Sequence, residues 1–143
     1  MPSLQSLRST IKTKLETLKG TGQPFANVYD FYTTKPSWFP FVCFEPAQLN
    51  SQFEDTQYNY RNFVFTIYIV QEITTLTRDV ALDNLVNAFD MVINLFDDDY
   101  TLAGEVQQVD AIEGEFMDID LEVWPCIAAT ITLSCRTLYD VTT

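Results

Sequence analysis

Carboxylates are the only reactive side chains this chain carries in quantity: 20 Asp and Glu against 8 Lys and Arg, three Cys and no His. Two groupings have spacings that chemistry could use. Asp118, Asp120 and Glu122 alternate along the sequence, so a strand would bring all three to one face, and Asp97-Asp98-Asp99 close a predicted helix. Oxygen clusters of this kind suit a hard cation such as Ca²⁺ or Mg²⁺, and a carboxylate pair suits glycosidic bond cleavage. The spacing departs from the twelve-residue calcium loop, however, and in so acidic a chain such clusters arise from composition alone. Without histidine there is no imidazole base for a Ser or Cys nucleophile. Only four glycines are present, and they form no phosphate loop, dinucleotide fingerprint or nucleophile elbow. The sequence therefore predicts no catalytic, cofactor-binding or metal-ligating set. Cys43, Cys126 and Cys135 are odd in number and lack C-x-x-C spacing, so they read as buried free thiols of a protein made in a reducing cytoplasm.

Charge placement narrows the partners. The net charge is −12, yet the first twenty residues hold Arg8, Lys12, Lys14 and Lys19 against Glu16 alone. The body of the chain is thus strongly anionic, which disfavours nucleic-acid phosphates and anionic membrane surfaces as ligands. No apolar run is long enough to span a membrane. The first residues lack the apolar stretch of a signal peptide, and their basic amphipathic pattern reads as a helix docked on the domain rather than a targeting signal.

The elements that would position these groups follow from periodicity. Leu4, Leu7, Ile11, Leu15 and Leu18 fall on one stripe of a helix over residues 3–19, with Ser3 as N-cap and Gly20 and Gly22 as stops. Strands are expected at 25–32, 38–44 and 58–70. The last carries Phe63, Phe65, Ile67 and Ile69 on one face and Val64, Thr66, Tyr68 and Val70 on the other, so both faces call for cover. A second helix is expected from Thr77 to about Asp97, with Leu82, Leu85, Phe89, Val92, Ile93 and Phe96 as its core face. Asp79, Asp83, Asp90 and Asp97 lie along one edge of its polar side. A turn ending at Gly104 leads to two short strands, 105–112 and 115–124, joined through Glu113-Gly114, and to a final strand at 126–138. The whole of 1–143 reads as one α+β domain, a largely antiparallel twisted sheet with two helices packed on one face. Two helices leave the other face uncovered. Val64, Tyr68 and Val70 are therefore the candidate contacts for another copy of the chain.

This order of elements resembles the tail terminator (tail completion) proteins of long-tailed bacteriophages. The matching pieces are the N-terminal helix, a strand ending in Pro-Phe-Val-Cys-Phe (40–44) and the aromatic strand 58–70. They continue with the helix from Thr77, the Asp-Tyr-Thr-Leu-Ala-Gly turn (99–104) and the closing Thr-Ile-Thr-Leu-Ser strand (130–134). The resemblance implies a structural virion protein, assembled in the host cytoplasm, that closes into a homohexameric ring. Such a ring caps the tail tube, ends its polymerisation and joins the tube protein to the head–tail connector, without enzymatic activity or cofactor. DNA would slide through without specific binding, and an acidic wall would help by repelling phosphates. Two sets are candidates for that lumen: Asp79, Asp83, Asp90 and Asp97 on the helix, and Asp118, Asp120 and Glu122 on the strand. The rival readings are an acidic DNA mimic that inhibits a nuclease or DNA-binding protein, another connector or tube component, and a carboxylate–metal enzyme.

Overall fold

A computed structural model describes residues 3–33, 36, 38–53, 58–73, 77–102, 104, 106, 108–121 and 124–140. The chain is α+β. Helix α1 (Leu4–Glu16) precedes strands β1 (Asn27–Tyr29), β2 (Phe41–Phe53) and β3 (Tyr58–Glu72). Helix α2 (Arg78–Asp97) separates these from β4 (Gln108–Leu121) and β5 (Trp124–Asp140). The five strands form one mixed sheet in the order β1-β2-β3-β5-β4. β1 runs parallel to β2, and the other three pairings are antiparallel. β3 and β5, neighbours in the sheet, are separated in sequence by α2 and the edge strand β4, and this crossover places α2 against the sheet.

Local chemistry sets the helix limits. Ser3 and Ser6 form a reciprocal capping box at the start of α1, each side chain accepting from the other's backbone N–H at 3.1 and 2.9 Å. The helix ends at Glu16, earlier than the glycines suggest, because Thr17 caps it and its hydroxyl donates to the Lys14 carbonyl at 2.6 Å. Leu7, Ile11 and Leu15 are fully buried, whereas Leu4 is 40% exposed at the first turn. Thr77 precedes α2 as expected.

Buried side chains of both helices share one cluster with alternate residues of the strands. Leu7, Ile11 and Leu15 from α1, and Ala81, Leu85, Ala88, Val92 and Phe96 from α2, meet Val42, Phe44, Phe63, Phe65, Ile67, Ile69, Ile131 and Leu133. The core face of α2 is rotated from the expected one. Two alanines, Ala81 and Ala88, let the helix axis approach the sheet, and Leu82 is left 41% exposed. A second, smaller cluster occupies the opposite sheet face: Phe41, Cys43, Val70, Leu121, Cys126 and Ala128, with Tyr29, Phe39, Tyr68, Ile119 and Trp124 packed around it. Its cover comes from the chain itself. Phe39 lies edge-on to Trp124 at 5.8 Å, and Tyr32 lies edge-on to Tyr68 at 4.9 Å.

Residues 108–121 are one strand, not two. Gly114 pairs with Ile131 within continuous β4, and a Cβ built on it would sit 2.5 Å from the Phe89 ring. Its missing side chain makes room for α2 to press on the sheet, a use of glycine that a sequence cannot separate from a turn. The first strand is also shorter than expected. Pairing stops at Tyr29, and Phe31 is 53% exposed.

Candidate assembly surfaces

The acidic residues of α2 form a solvated stripe. Placed at about 100° per residue, Asp79, Asp83, Asp90 and Asp97 lie within a narrow arc, and all four are exposed. Asp79 sits in the first turn of the helix. The Thr77 side chain and the Val80 backbone N–H hold its carboxyl below the usual carboxylate range, and the positive end of the helix favours the charge there. The neighbouring acid Asp99 is engaged with Lys14 at 2.7 Å, which ties α1 to the turn after α2.

The strand set is placed differently. Asp118 stands opposite Ile127 and Asp120 opposite Pro125, so these carboxylates are on the α2 side of the sheet at its β4 edge. Asp118 accepts from the Arg78 guanidinium at 2.8 Å, bridging β4 to the start of α2. Glu122 lies outside the described residues. Among the described residues no three Asp, Glu, Cys or His side chains gather in a metal-holding group, and no helix is long and apolar enough to cross a membrane.

Of the candidate contacts, Val64 and Tyr68 are half-buried on the face away from the helices, whereas Val70 is 2% exposed within the second cluster. Val70 is consumed by its own chain's core and is not a surface group. Burial, followed by the nearby Glu45 charge, pushes the Tyr68 hydroxyl pKa up. Register builds a row across this face that the sequence reading missed: Glu45, Thr66, Thr132 and Glu113, with Tyr68, Thr130 and Glu115 beside it. The signal was present in the alternating Thr130, Thr132 and Ser134. Assigning Glu113-Gly114 to a turn hid its acidic end.

Exposed apolar groups stand at both ends of the strand order and on α2, which packs over β3 and β5. Phe31 and Trp38 flank β1, and Leu82, Val86, Phe116 and Met117 belong to α2 and β4. Between α2 and β4 runs an open groove of about 510 Å³ lined by Phe89, Ile93, Tyr100, Val109, Ile112 and Gly114. Phe116 packs on Phe89 at 4.9 Å and extends its apolar wall. The thiols take no part in any of these surfaces. Burial pushes Cys43 and Cys135 up to about 12 and Cys126 to about 11, which keeps them protonated and unreactive near neutrality.

No protein-family model matches the sequence, and no curated protein matches it at a significant level.

Proposed function

We propose that this chain is a structural subunit of a six-membered ring that caps the tail tube of a long-tailed bacteriophage and joins it to the head connector. One observation carries the reading: exposed apolar groups stand at both ends of the strand order, Phe31 and Trp38 beside β1 and Phe116 and Met117 on β4, and the two groups differ. A self-complementary patch gives a two-fold dimer, whereas two different patches give head-to-tail contacts, and these close into rings when the rotation allows. The order of elements shared with tail terminators supplies the setting. Both helices packed on one face of a twisted sheet leave two lateral edges free to meet neighbours. The ring is a virion component, acts without catalysis or cofactor, and contacts the tail tube protein and the connector protein along its axis.

Native mass spectrometry across a concentration series tests the ring. Six copies in a closed species is the expected result. A chain that stays monomeric at every concentration, or that binds a basic DNA-binding partner one to one, supports the DNA-mimic reading instead. Passage of DNA is tested by neutralising the two acidic sets separately, Asp79, Asp83, Asp90 and Asp97 to Asn, and Asp118 and Asp120 to Asn. Lining the lumen predicts intact rings with reduced infectious yield. Full infectivity with both sets neutralised sinks the lumen role.

A further inference from the structure

We infer that the outer edge of β4 captures an extended, basic segment of a partner protein, which adds to the sheet as a further strand. The two ends of the sheet differ in what they offer. At one end β1 pairs over three residues. At the other, β4 runs for 14 residues, with β5 as its one strand neighbour among the described residues. The unpaired side of such a strand presents a row of N–H and C=O groups ready to continue the ladder. Its start is already used, since the Val109 N–H donates to the Tyr100 carbonyl at 2.7 Å beside the bulge between Val109 and Ala111. Beyond that point no further backbone bond reaches the outer side of β4 among the described residues. Because α2 packs over β3 and β5, β4 projects past it as a ledge, and Glu113 to Asp118 are exposed without a break.

The side chains decide which strand fits. Residues 108–121 contain no Lys, Arg or Pro, so acids alone guard this edge. Asp118 and Asp120 stand on the α2 side, and Arg78 already holds Asp118 at 2.8 Å. Glu113 and Glu115 stand on the open face opposite Thr132 and Thr130, and no ion pair engages them among the described residues. Two β4 edges laid together bring carboxylates against carboxylates, which is unfavourable, and β1 has only three residues to offer. A second copy is therefore a poor donor of the added strand, whereas a segment bearing Lys or Arg is attracted. Alternation completes the description, because successive side chains of a strand point to opposite faces. One set turns toward Glu113 and Glu115, and the other toward the mouth of the apolar groove at Phe89, Ile93 and Ile112. The partner segment thus alternates basic and apolar residues; ladder hydrogen bonds supply affinity and the alternation supplies selectivity.

Such a strand shields Phe116 and Met117, the apolar groups that the ring reading gives to the neighbouring copy. Capture therefore belongs to the subunit before it assembles, and it stands whether or not rings form.

Titration of the monomeric chain with synthetic peptides of about nine residues, the span of a long strand, tests the capture. The probe alternates Val and Lys. Its controls are the same peptide with Glu for Lys, the same composition with the valines grouped together, and the probe N-methylated through its centre, which removes the ladder donors on both of its edges. The probe should bind at least about tenfold more tightly than each control, less so as salt rises, and should slow hydrogen exchange at the β4 amides. The variant Glu113→Lys with Glu115→Lys, its fold checked by a thermal melt, should reverse the preference and favour the Glu peptide. Equal binding of the Lys and Glu peptides, undiminished binding of the methylated probe, or no binding at all overturns the proposal, and these outcomes need no folded variant. Protection of the β4 amides by self-association without peptide makes a second copy the occupant and overturns it as well. A chain that binds the probe but never assembles removes the ring and leaves the capture in place.

Discussion

The two faces of β3 teach how unequal two similar apolar patterns can be. Phe63, Phe65, Ile67 and Ile69 are all buried beneath the helices' side chains. Of Val64, Thr66, Tyr68 and Val70 only Val70 is buried, because aromatic residues from the segment around β1 and β2 cover one end of that face and leave the other end open. The first face is a core that every contact reinforces. The second is a small aromatic patch beside a hydroxyl-rich strip, and its cover is a few rings rather than a layer.

The largest effect expected from this difference is on stability. Phe65→Ala should destabilise by about 3–5 kcal/mol, and Ile11→Ala or Leu15→Ala by about 2–5 kcal/mol, since each leaves a cavity under closely packed neighbours. Val64→Ala on the opposite face should cost less than about 1 kcal/mol. Chemical denaturation measures all four. Equal losses at Phe65 and Val64 would mean that the second face is as firmly packed as the first.

The thiols sharpen the comparison because they report from both faces. Cys135 belongs to the core shared with the helices, and Cys43 and Cys126 belong to the second cluster. Burial raises each folded-state pKa, so the unfolded chain ionises first as pH rises. The contribution of the neutral thiols is full below about pH 9 and is lost as pH climbs toward about 12 for Cys43 and Cys135 and about 11 for Cys126. Stability should therefore fall across that alkaline window, by up to a few kcal/mol. Near pH 8, alkylation followed by mass spectrometry should modify Cys126 and Cys43 before Cys135, since only a few rings must move to open the second cluster. Simultaneous modification of all three would point to global unfolding as the single route of access.

Gly114 gives the next test and marks where the sequence stopped being informative. The helices, the long strand β3 and the alternation of β5 were legible because period and burial agree over many residues. Thr77 and Ser3 were legible because caps are local. The continuity of β4 was not, since its glycine serves a ring on a distant helix, and neither was the rotation of α2, which follows from Ala81 and Ala88 fitting closely where Leu82 does not. The candidate assembly surfaces were hidden for the same reason. The groove exists only once α2 and β4 are adjacent, whereas the two-faced pattern of β3 pointed to Val70, which the chain buries itself. Gly114→Ala should cost about 1–3 kcal/mol by pushing against Phe89, and much of that should return when Phe89→Leu is combined with it. Additive losses would show that the strand, not the ring, is what the glycine relieves.

The smallest effect belongs to the charge pair at the edge of the helix-covered face. Arg78 opens α2, where a cation is disfavoured by the helix dipole, and Asp118 on β4 offsets that charge at 2.8 Å. The two side chains are 60% and 67% exposed, so water screens most of the attraction. Asp118→Asn should therefore cost about 0.2–1 kcal/mol, less in high salt, and Arg78→Gln together with Asp118→Asn should recover most of the loss. A thermodynamic cycle of the two substitutions measures the coupling. A coupling above about 2 kcal/mol would exceed what an exposed pair supplies; it would make the pair a clamp between α2 and β4.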